Sequence, residues 1–496
     1  MSFQPDIPLD LPNGTVAVPA FDSETFQQEL LHDIRELGTS IQSMQSQYDS
    51  LASRAGLTSS HETATHVLNG YLWVFVIAFI VTLIATPVMR RLALRHGIID
   101  KPSDPRKVHR IPVAYLGGAA VFLGLMGGVL FSYLAIEFPG LIRYHNSKFL
   151  DGIPAEPIPW AVVFGMFVIM LVGLLDDVMD ISPRIKIAGQ LFAAAALAYD
   201  NVGVAVASGL VRPLGQWLFN DSELIFNFGI PGLEFDTVYW VGTALIALFV
   251  LGGCNAANLV DGLDGLLGGI TIVAMLGLLG VATVLALRDD GERDAQRIIL
   301  CMSVLGACLG FLPYNFNPAS IFLGDCGSML LGYCTVVIIL TLGDSGDVIS
   351  RDYSRTHLVF AGLLIWAIPI VDTVLAIIRR KMAGLPLSAP DDQHLHHMLK
   401  RALGVKGAVF SLYGIGLIFA SIGVLISLGN ARLVYAVGLV FAAFLVVTAI
   451  KVARLKQIVD EATAAANGQH PFQLRSTATI DTLPVETQQP DGRNIQ

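Results

Sequence analysis

From residue 71 onward the chain alternates long apolar runs with short polar segments. About eleven of these runs are long enough to cross a hydrocarbon layer as helices, at roughly 1.5 Å of rise per residue. They lie near residues 71–92, 113–136, 159–175, 187–206, 238–253, 265–287, 297–314, 328–343, 357–379, 407–428 and 433–450. The pattern predicts an all-α, polytopic membrane protein with about eleven transmembrane helices over residues 71–452. Residues 1–66 differ, being polar and acidic. Within them Leu30, Ile34, Leu37, Ile41, Met44, Tyr48 and Leu51 alternate spacings of four and three, a short heptad seam. Such a helix pairs with a copy of itself, giving a homodimer through residues 30–51, or packs alone on the protein or the lipid surface. Residues 455–496 are polar and rich in Thr, Gln and Pro, and are expected to be a disordered tail.

Threading the chain through eleven spans puts alternate loops on opposite sides. One set contains RRLALRHGIIDKPSDPRKVHR, DDVMDISPRIK, NAANLVDGLDG, NFNPASIFLGD and RRKMAGLPLSAPDDQHLHHMLKR, plus the start of the C-terminal tail. It carries about eighteen Lys and Arg against about nine in the other set, which places it in the cytoplasm by the positive-inside rule. The N-terminus is then outside and the C-terminus inside. Every segment with chemical potential falls on that one face, which predicts a cytoplasmic-face active-site cleft.

Composition agrees with this architecture. A mean hydropathy of +0.63 is far too apolar for a soluble enzyme of 496 residues, 54% of them hydrophobic and 14% charged. The net charge of −9 comes largely from the two tails and says little about partners; no nucleic-acid partner is expected. Cys254, Cys301, Cys308, Cys326 and Cys334 lie in or beside apolar runs without a CxxC pair, which suggests neither a metal cluster nor a disulfide framework. The N-terminus lacks a basic stretch followed by an apolar one, so the first apolar run is expected to direct membrane entry.

The polar segments carry the candidate chemistry. In GCNAANLVDGLDGLLGG, Asn255, Asn258, Asp261 and Asp264 recur every third residue, roughly along one side of a helical or near-helical segment. An ionised Asp at the middle of a membrane helix costs on the order of 3 kcal/mol, so these groups should line a polar cleft or sit at the membrane edge. An ordinary turn-forming polar loop is the other reading. GLLDDVMDISPRIK sets Asp176, Asp177 and Asp180 at a span end, followed by Arg184 and Lys186. Adjacent carboxylates raise each other's proton affinity or recruit a cation; for Asp180, a helix-terminal charge is equally reasonable. FLGDCGSMLLGY places Asp325 in a Gly-flanked turn where a helix starts, as a metal ligand beside a phosphate site or as a simple cap. Arg106, Lys107, His109 and Arg110, ahead of Gly117 and Gly118, suit an anionic ligand or lipid headgroups. His394, His396 and His397 lack the partners of a zinc tract and suit phosphate oxygens better. Asp372 is an intramembrane acid and a functional candidate for that reason. Oxygen ligands for a hard cation, cationic donors for phosphate and no acyl-transfer triad together point to Mg²⁺-assisted phosphoryl transfer.

DDVMD, NAANLVDGLDG, FLGDCGS and HLHH, in this order and with RKVHRIPVAYLGG upstream, resemble the polyprenyl-phosphate N-acetylhexosamine-1-phosphate transferases of glycosyltransferase family 4. That family joins a sugar 1-phosphate from a UDP-sugar to a membrane polyprenyl phosphate and releases UMP. The HLHH form looks more like the undecaprenyl-phosphate N-acetylglucosaminyl branch than the branch using UDP-muramoyl-pentapeptide. The resemblance implies an early step of envelope glycan assembly at a bacterial inner membrane, with UDP-N-acetylglucosamine as donor and undecaprenyl phosphate as acceptor. It implies Mg²⁺ (or Mn²⁺) on Asp325 and catalytic work by Asp176, Asp177, Lys186 and Asp264. Substrate contacts are implied for Arg106, Lys107, His109, Asn255, Asn258, Asp261, Asn315, Phe322, His394, His396 and His397. Two departures stand out: VAYLGG replaces a common Pro-Arg pair, and Asp392 sits where a basic residue often precedes the His motif. The competing readings are the phospho-N-acetylmuramoyl-pentapeptide transferase of peptidoglycan synthesis and, from another class, an ion-coupled transporter. A transporter needs polar groups reachable from both sides, whereas these cluster on one.

Overall fold

The computed structural model describes residues 63–100, 112–138, 141–142, 158–179, 181–220, 224–227, 234–288, 293–344, 355–386 and 394–428, with the single positions 40, 44, 436 and 454. Ser40 and Met44 are helical and exposed. The rest of the heptad seam, the run near 433–450 apart from Ala436, and the tail 455–496 lie outside the described residues. Residues 1–62 cluster as one unit and residues 63–496 as another.

The second unit is a bundle whose helices follow the apolar runs. They are α1 (Ala64–Gly70), α2 (Leu72–His96), α3 (Gly117–Glu137), α4 (Trp160–Met179), α5 (Pro183–Tyr199), α6 (Ser208–Phe219), α7 (Thr237–Val260), α8 (Leu266–Ala286), α9 (Arg293–Asn315), α10 (Gly324–Leu342), α11 (Thr356–Ile365), α12 (Ala367–Met382) and α13 (Leu395–Leu428). Among the described residues eight helices are long and apolar enough to cross a membrane singly, and two bent pairs bring the count to ten at most. This corrects the expectation of plain spans over 187–206 and 357–379. The first breaks after Tyr199, where Gly203 takes φ +89° and the chain turns by 86° into the segment ending in α6. The second breaks at the buried Trp366 and turns by 82°. Trp366 keeps the second break apolar, and at the first only Asp200 and Asn201 interrupt an otherwise apolar run, so averaged hydropathy does not register the bends.

Helix α10 is the axis of the bundle, with 94% of its apolar window buried against 22% for α2. It packs against α3, α4 and α7, while α9 packs against α2 and α8. The crossing of α3 and α10 is backbone on backbone: a Cβ on Gly118 would overlap the main chain of Gly327. At its C-terminal end α10 is held by Arg297 of α9, which is 1% exposed. This guanidinium donates to the carbonyls of Thr341 (2.6 and 3.0 Å) and Asp344 (2.6 Å) and to Asp294 Oδ1 (2.6 Å). Helix-end carbonyls have no partner within the helix, and a cation there also complements the helix dipole. Asp344 in turn accepts the Gly203 N–H at 3.0 Å, fastening the first bend to the end of α10. Burial lifts the Asp344 carboxyl above the usual range, an effect that the nearby Arg293 and Arg297 oppose.

Two short strands prepare the other end of the bundle. Strand β1 (Ile99–Asp100), just past α2, pairs antiparallel with β2 (Val113–Ala114), just before α3. The Phe322 N–H donates to Ala114 O at 2.8 Å, while the N–H groups of Gly117 and Gly118 donate to Phe322 O (3.0 Å) and Leu323 O (2.8 Å). These bonds draw the loop before α10 against the start of α3.

Candidate active site

Where α7 ends and α10 and α13 begin, the structure encloses a pocket of about 280 Å³. Of the residues singled out in the sequence, Asn258, Asp261, Asp264, Asn315, Phe322, Asp325 and His397 line it. They come from three separate polar segments, which the bundle brings to one place.

The NAANLVDGLDG stretch is not the continuous helical face that its spacing suggested. Helix α7 stops at Val260, Asp261 is its C-cap, and Gly265 takes φ +77° to restart the chain as α8. The four residues consequently diverge. Asn255 is absent from the pocket wall, its amide donating to Gln190 Oε1 at 2.9 Å and to Leu251 O at 2.8 Å. Asn258 donates to Ser328 Oγ at 3.1 Å, tying α7 to the first turn of α10. Asp264 accepts from Asn317 Nδ2 at 2.8 Å and from the Ala319 N–H at 3.0 Å, so its carboxylate holds the loop that carries Phe322. Asn315 helps from the other side, accepting from the Gly265 N–H and donating to Ile321 O.

The acidic pair on α4 also divides. Asp177 accepts the N–H groups of Asp325 (2.8 Å) and Cys326 (3.0 Å), which makes it the cap of α10 supplied from another helix. Gly324, at φ +71°, has no room for a side chain, because a Cβ there would collide with the Asp177 carboxylate. Asp176 faces Lys186 instead. The Lys186 ammonium lies 2.6 Å from Asp176 Oδ2 and 2.6 Å from Asp325 Oδ2, bridging α4 and α10. The second oxygen of Asp176, Oδ1, is buried without a hydrogen-bond partner.

Asp100 and Tyr115 are pocket residues that went unassigned in the sequence. Asp100 arrives through the β1–β2 pairing, and Tyr115 through Leu116, which takes φ +90°. A non-glycine residue in that conformation costs about 1–3 kcal/mol and persists only where the surroundings enforce it. The effect here is to set the Tyr115 ring 6.0 Å from Phe322 at 64°, two aromatic walls at one end of the pocket. Burial, then Asp100, Asp177, Asp325 and Asp261, push the Tyr115 phenol above its ordinary range, so it stays protonated. An acid embedded in the basic segment 90–110 was the signal available for Asp100; nothing in the sequence marked Tyr115 beyond its unusual context.

Burial first, and then the charges of Asp325, Asp177 and Asp264, push the Asp261 carboxyl up to about 8. A pKa raised from the unfolded value of about 3.9 means that the folded form holds its proton more tightly. The associated stability is complete below the unfolded pKa and is lost as pH rises through the folded one. In cation-free detergent solution the melting temperature should therefore fall as pH rises from about 4 to about 8 and level off above that, and Asp261→Asn should remove that fall, as followed by differential scanning fluorimetry.

His394, His396 and His397 separate as neighbours on a helix must. His397 lines the pocket, whereas His394 and His396 are buried beside Asp372 of α12. Arg106, Lys107, His109, Arg110, Asp180 and Asp392 lie outside the described residues. Among the described residues no group of three or more His, Cys, Asp or Glu side chains is placed to hold a metal ion by itself. The donors at the pocket are carboxylate, amide and imidazole, and the five cysteines are buried and free.

The family model described as glycosyl transferase family 4 matches residues 159–343. A probable undecaprenyl-phosphate N-acetylglucosaminyl 1-phosphate transferase of Bacillus subtilis is 33% identical over 348 residues, covering 70% of this chain and 82% of that protein. A decaprenyl-phosphate N-acetylglucosaminephosphotransferase of Mycobacterium tuberculosis is 35% identical over 331 residues, 65% of this chain and 74% of the relative. An undecaprenyl-phosphate alpha-N-acetylglucosaminyl 1-phosphate transferase of Escherichia coli K12 is 29% identical over 343 residues, 68% of this chain and 78% of the relative.

Proposed function

The chain belongs to glycosyl transferase family 4, and from that premise we propose that it transfers N-acetylglucosamine 1-phosphate from UDP-N-acetylglucosamine to a polyprenyl phosphate such as undecaprenyl phosphate, releasing UMP. The observation that carries this reading is the pocket itself, which sets carboxylates, an imidazole and a pair of aromatic rings around a space at one end of a membrane bundle. A lipid-borne phosphate can reach such a site from the bilayer while a nucleotide enters from water.

The donor set suits magnesium. Mg²⁺ takes one or two carboxylates and completes its shell with substrate phosphates and water, so it does not need three protein ligands. Asp325 lines the pocket and would supply the carboxylate oxygen that holds the ion. Bound there, the ion would neutralise charge shared by two anionic substrates. The protein's own part is positioning. Asp177 fixes the first turn of α10, and with it Asp325. Tyr115 and Phe322 offer the flat walls that a nucleobase stacks on. An oxygen of the acceptor phosphate forms a bond to the sugar-bearing phosphorus, the bond to the UMP oxygen breaks, and Lys186 is the cation beside which that charge moves. The Lys and Arg asymmetry of the loops supports a pocket on the cytoplasmic face with the N-terminus outside, and the bacterial relatives support a bacterial inner membrane.

Purified protein in detergent, supplied with undecaprenyl phosphate and magnesium, is expected to release UMP from UDP-N-acetylglucosamine and not from UDP-N-acetylmuramoyl-pentapeptide. UMP release confined to the pentapeptide donor would overturn the assignment of the sugar.

A further inference from the structure

Asp372 lies inside an apolar helix, is 1% exposed, and has no place in the pocket wall. A carboxylate buried so deeply must be compensated by partners of its own. The described ones all come from the start of α13. Asp372 Oδ1 accepts the Leu395 N–H at 2.8 Å, which is the first turn of that helix. Oδ2 lies 3.2 Å from His394 Nδ1 and 3.5 Å from His396 Nδ1. The shorter approach is a hydrogen bond, and the His396 nitrogen is left without one. His396 is wedged on its far side, because a Cβ on Gly262 would overlap its Nε2. The next residue, His397, turns into the pocket with its ring 4.2 Å from that of His396.

Charge, helix end and imidazole stack thus run in one line from a buried acid to a pocket histidine. We propose that Asp372 is a positioning residue: it fixes the helix start and the rings of His394 and His396 so that His397 is presented to the donor diphosphate. The inference rests on the transferase reading above for the identity of that ligand. The arrangement itself stands on the contacts just described. Helix α12 is the second arm of a bent pair, so the anchor also joins that arm to the histidine segment.

Asp372→Asn keeps the volume and removes the charge. It is expected to lower kcat for UMP release at least about tenfold with the KM for undecaprenyl phosphate unchanged, while Asp372→Glu recovers part of the loss. In a His397→Ala background the same change should cost nothing more, since both act through one imidazole. A second readout does not depend on turnover. Carbethoxylation by diethyl pyrocarbonate, mapped by mass spectrometry, should rise several-fold at His394 and His396 in Asp372→Asn and stay constant at the exposed His66 and His96. If Asp372→Asn does not purify as a monodisperse protein, Asp372→Glu should show the same rise in smaller measure. Losses that multiply in the double variant, or unchanged carbethoxylation at His394 and His396, would overturn the proposal. An unmodified protein that releases no UMP but shows the carbethoxylation change would overturn the transferase reading and leave the anchoring intact.

Discussion

Replacing Asp325 with asparagine is expected to lower UMP release by about a thousandfold and to raise the magnesium concentration needed for half-maximal turnover of the remainder. The volume of the side chain hardly changes, so the effect isolates its charge. Two functions would be lost together: the oxygen ligand proposed at the pocket wall, and the second charged acceptor of the Lys186 ammonium, whose remaining carboxylate is Asp176. The contrast with Asp177 makes the experiment decisive. Asp177→Asn weakens a helix cap and should cost about 1–2 kcal/mol of stability with a smaller loss of turnover. Asp176→Asn should lower turnover with little change in the magnesium titration. A normal magnesium titration in Asp325→Asn, with a shifted one in Asp176→Asn, would reverse these roles.

The second large effect lies at the opposite end of α10. Arg297→Met should destabilise the bundle by about 3–5 kcal/mol, the usual consequence of removing one member of a buried ion pair. Asp294 would keep a buried charge without that cation, and the carbonyls of Thr341 and Asp344 would lose their donors. Thermal unfolding in detergent measures the loss. The double change Asp294→Leu with Arg297→Met should recover much of it, because two apolar side chains need no compensation. No recovery in the double variant would mean that the carbonyl bonds, and not the paired charges, carry the stability.

The helices were legible because burial in lipid demands long apolar runs, and such runs are visible in any window. The bends were not, since Trp366 is itself apolar and the two polar residues Asp200 and Asn201 are too short an interruption to mark a turn of the backbone. Membership of the site was legible in outline, as Asn258, Asp261, Asp325 and His397 show. Roles within it were less so. The spacing of Asn255 and Asn258 is the same as that of Asn258 and Asp261, yet Asn255 lies off the pocket wall, its amide taken up by Gln190 and the Leu251 carbonyl. His396 and His397 are adjacent in sequence and face different neighbours, as a turn of about 100° per residue requires. Asp177 could be read as a base or a ligand until its partners, two backbone amides on a helix far along the chain, were known.

Helix α10 is clamped by charge at both ends, by the Asp177 carboxylate at the pocket and by the Arg297 guanidinium at the other side of the bundle. A rod pinned at both tips and packed along its length cannot tilt or slide to admit a ligand. It serves as a fixed rail on which the surrounding helices are set, and it keeps Asp325 and Ser328 at its tip in register with the pocket.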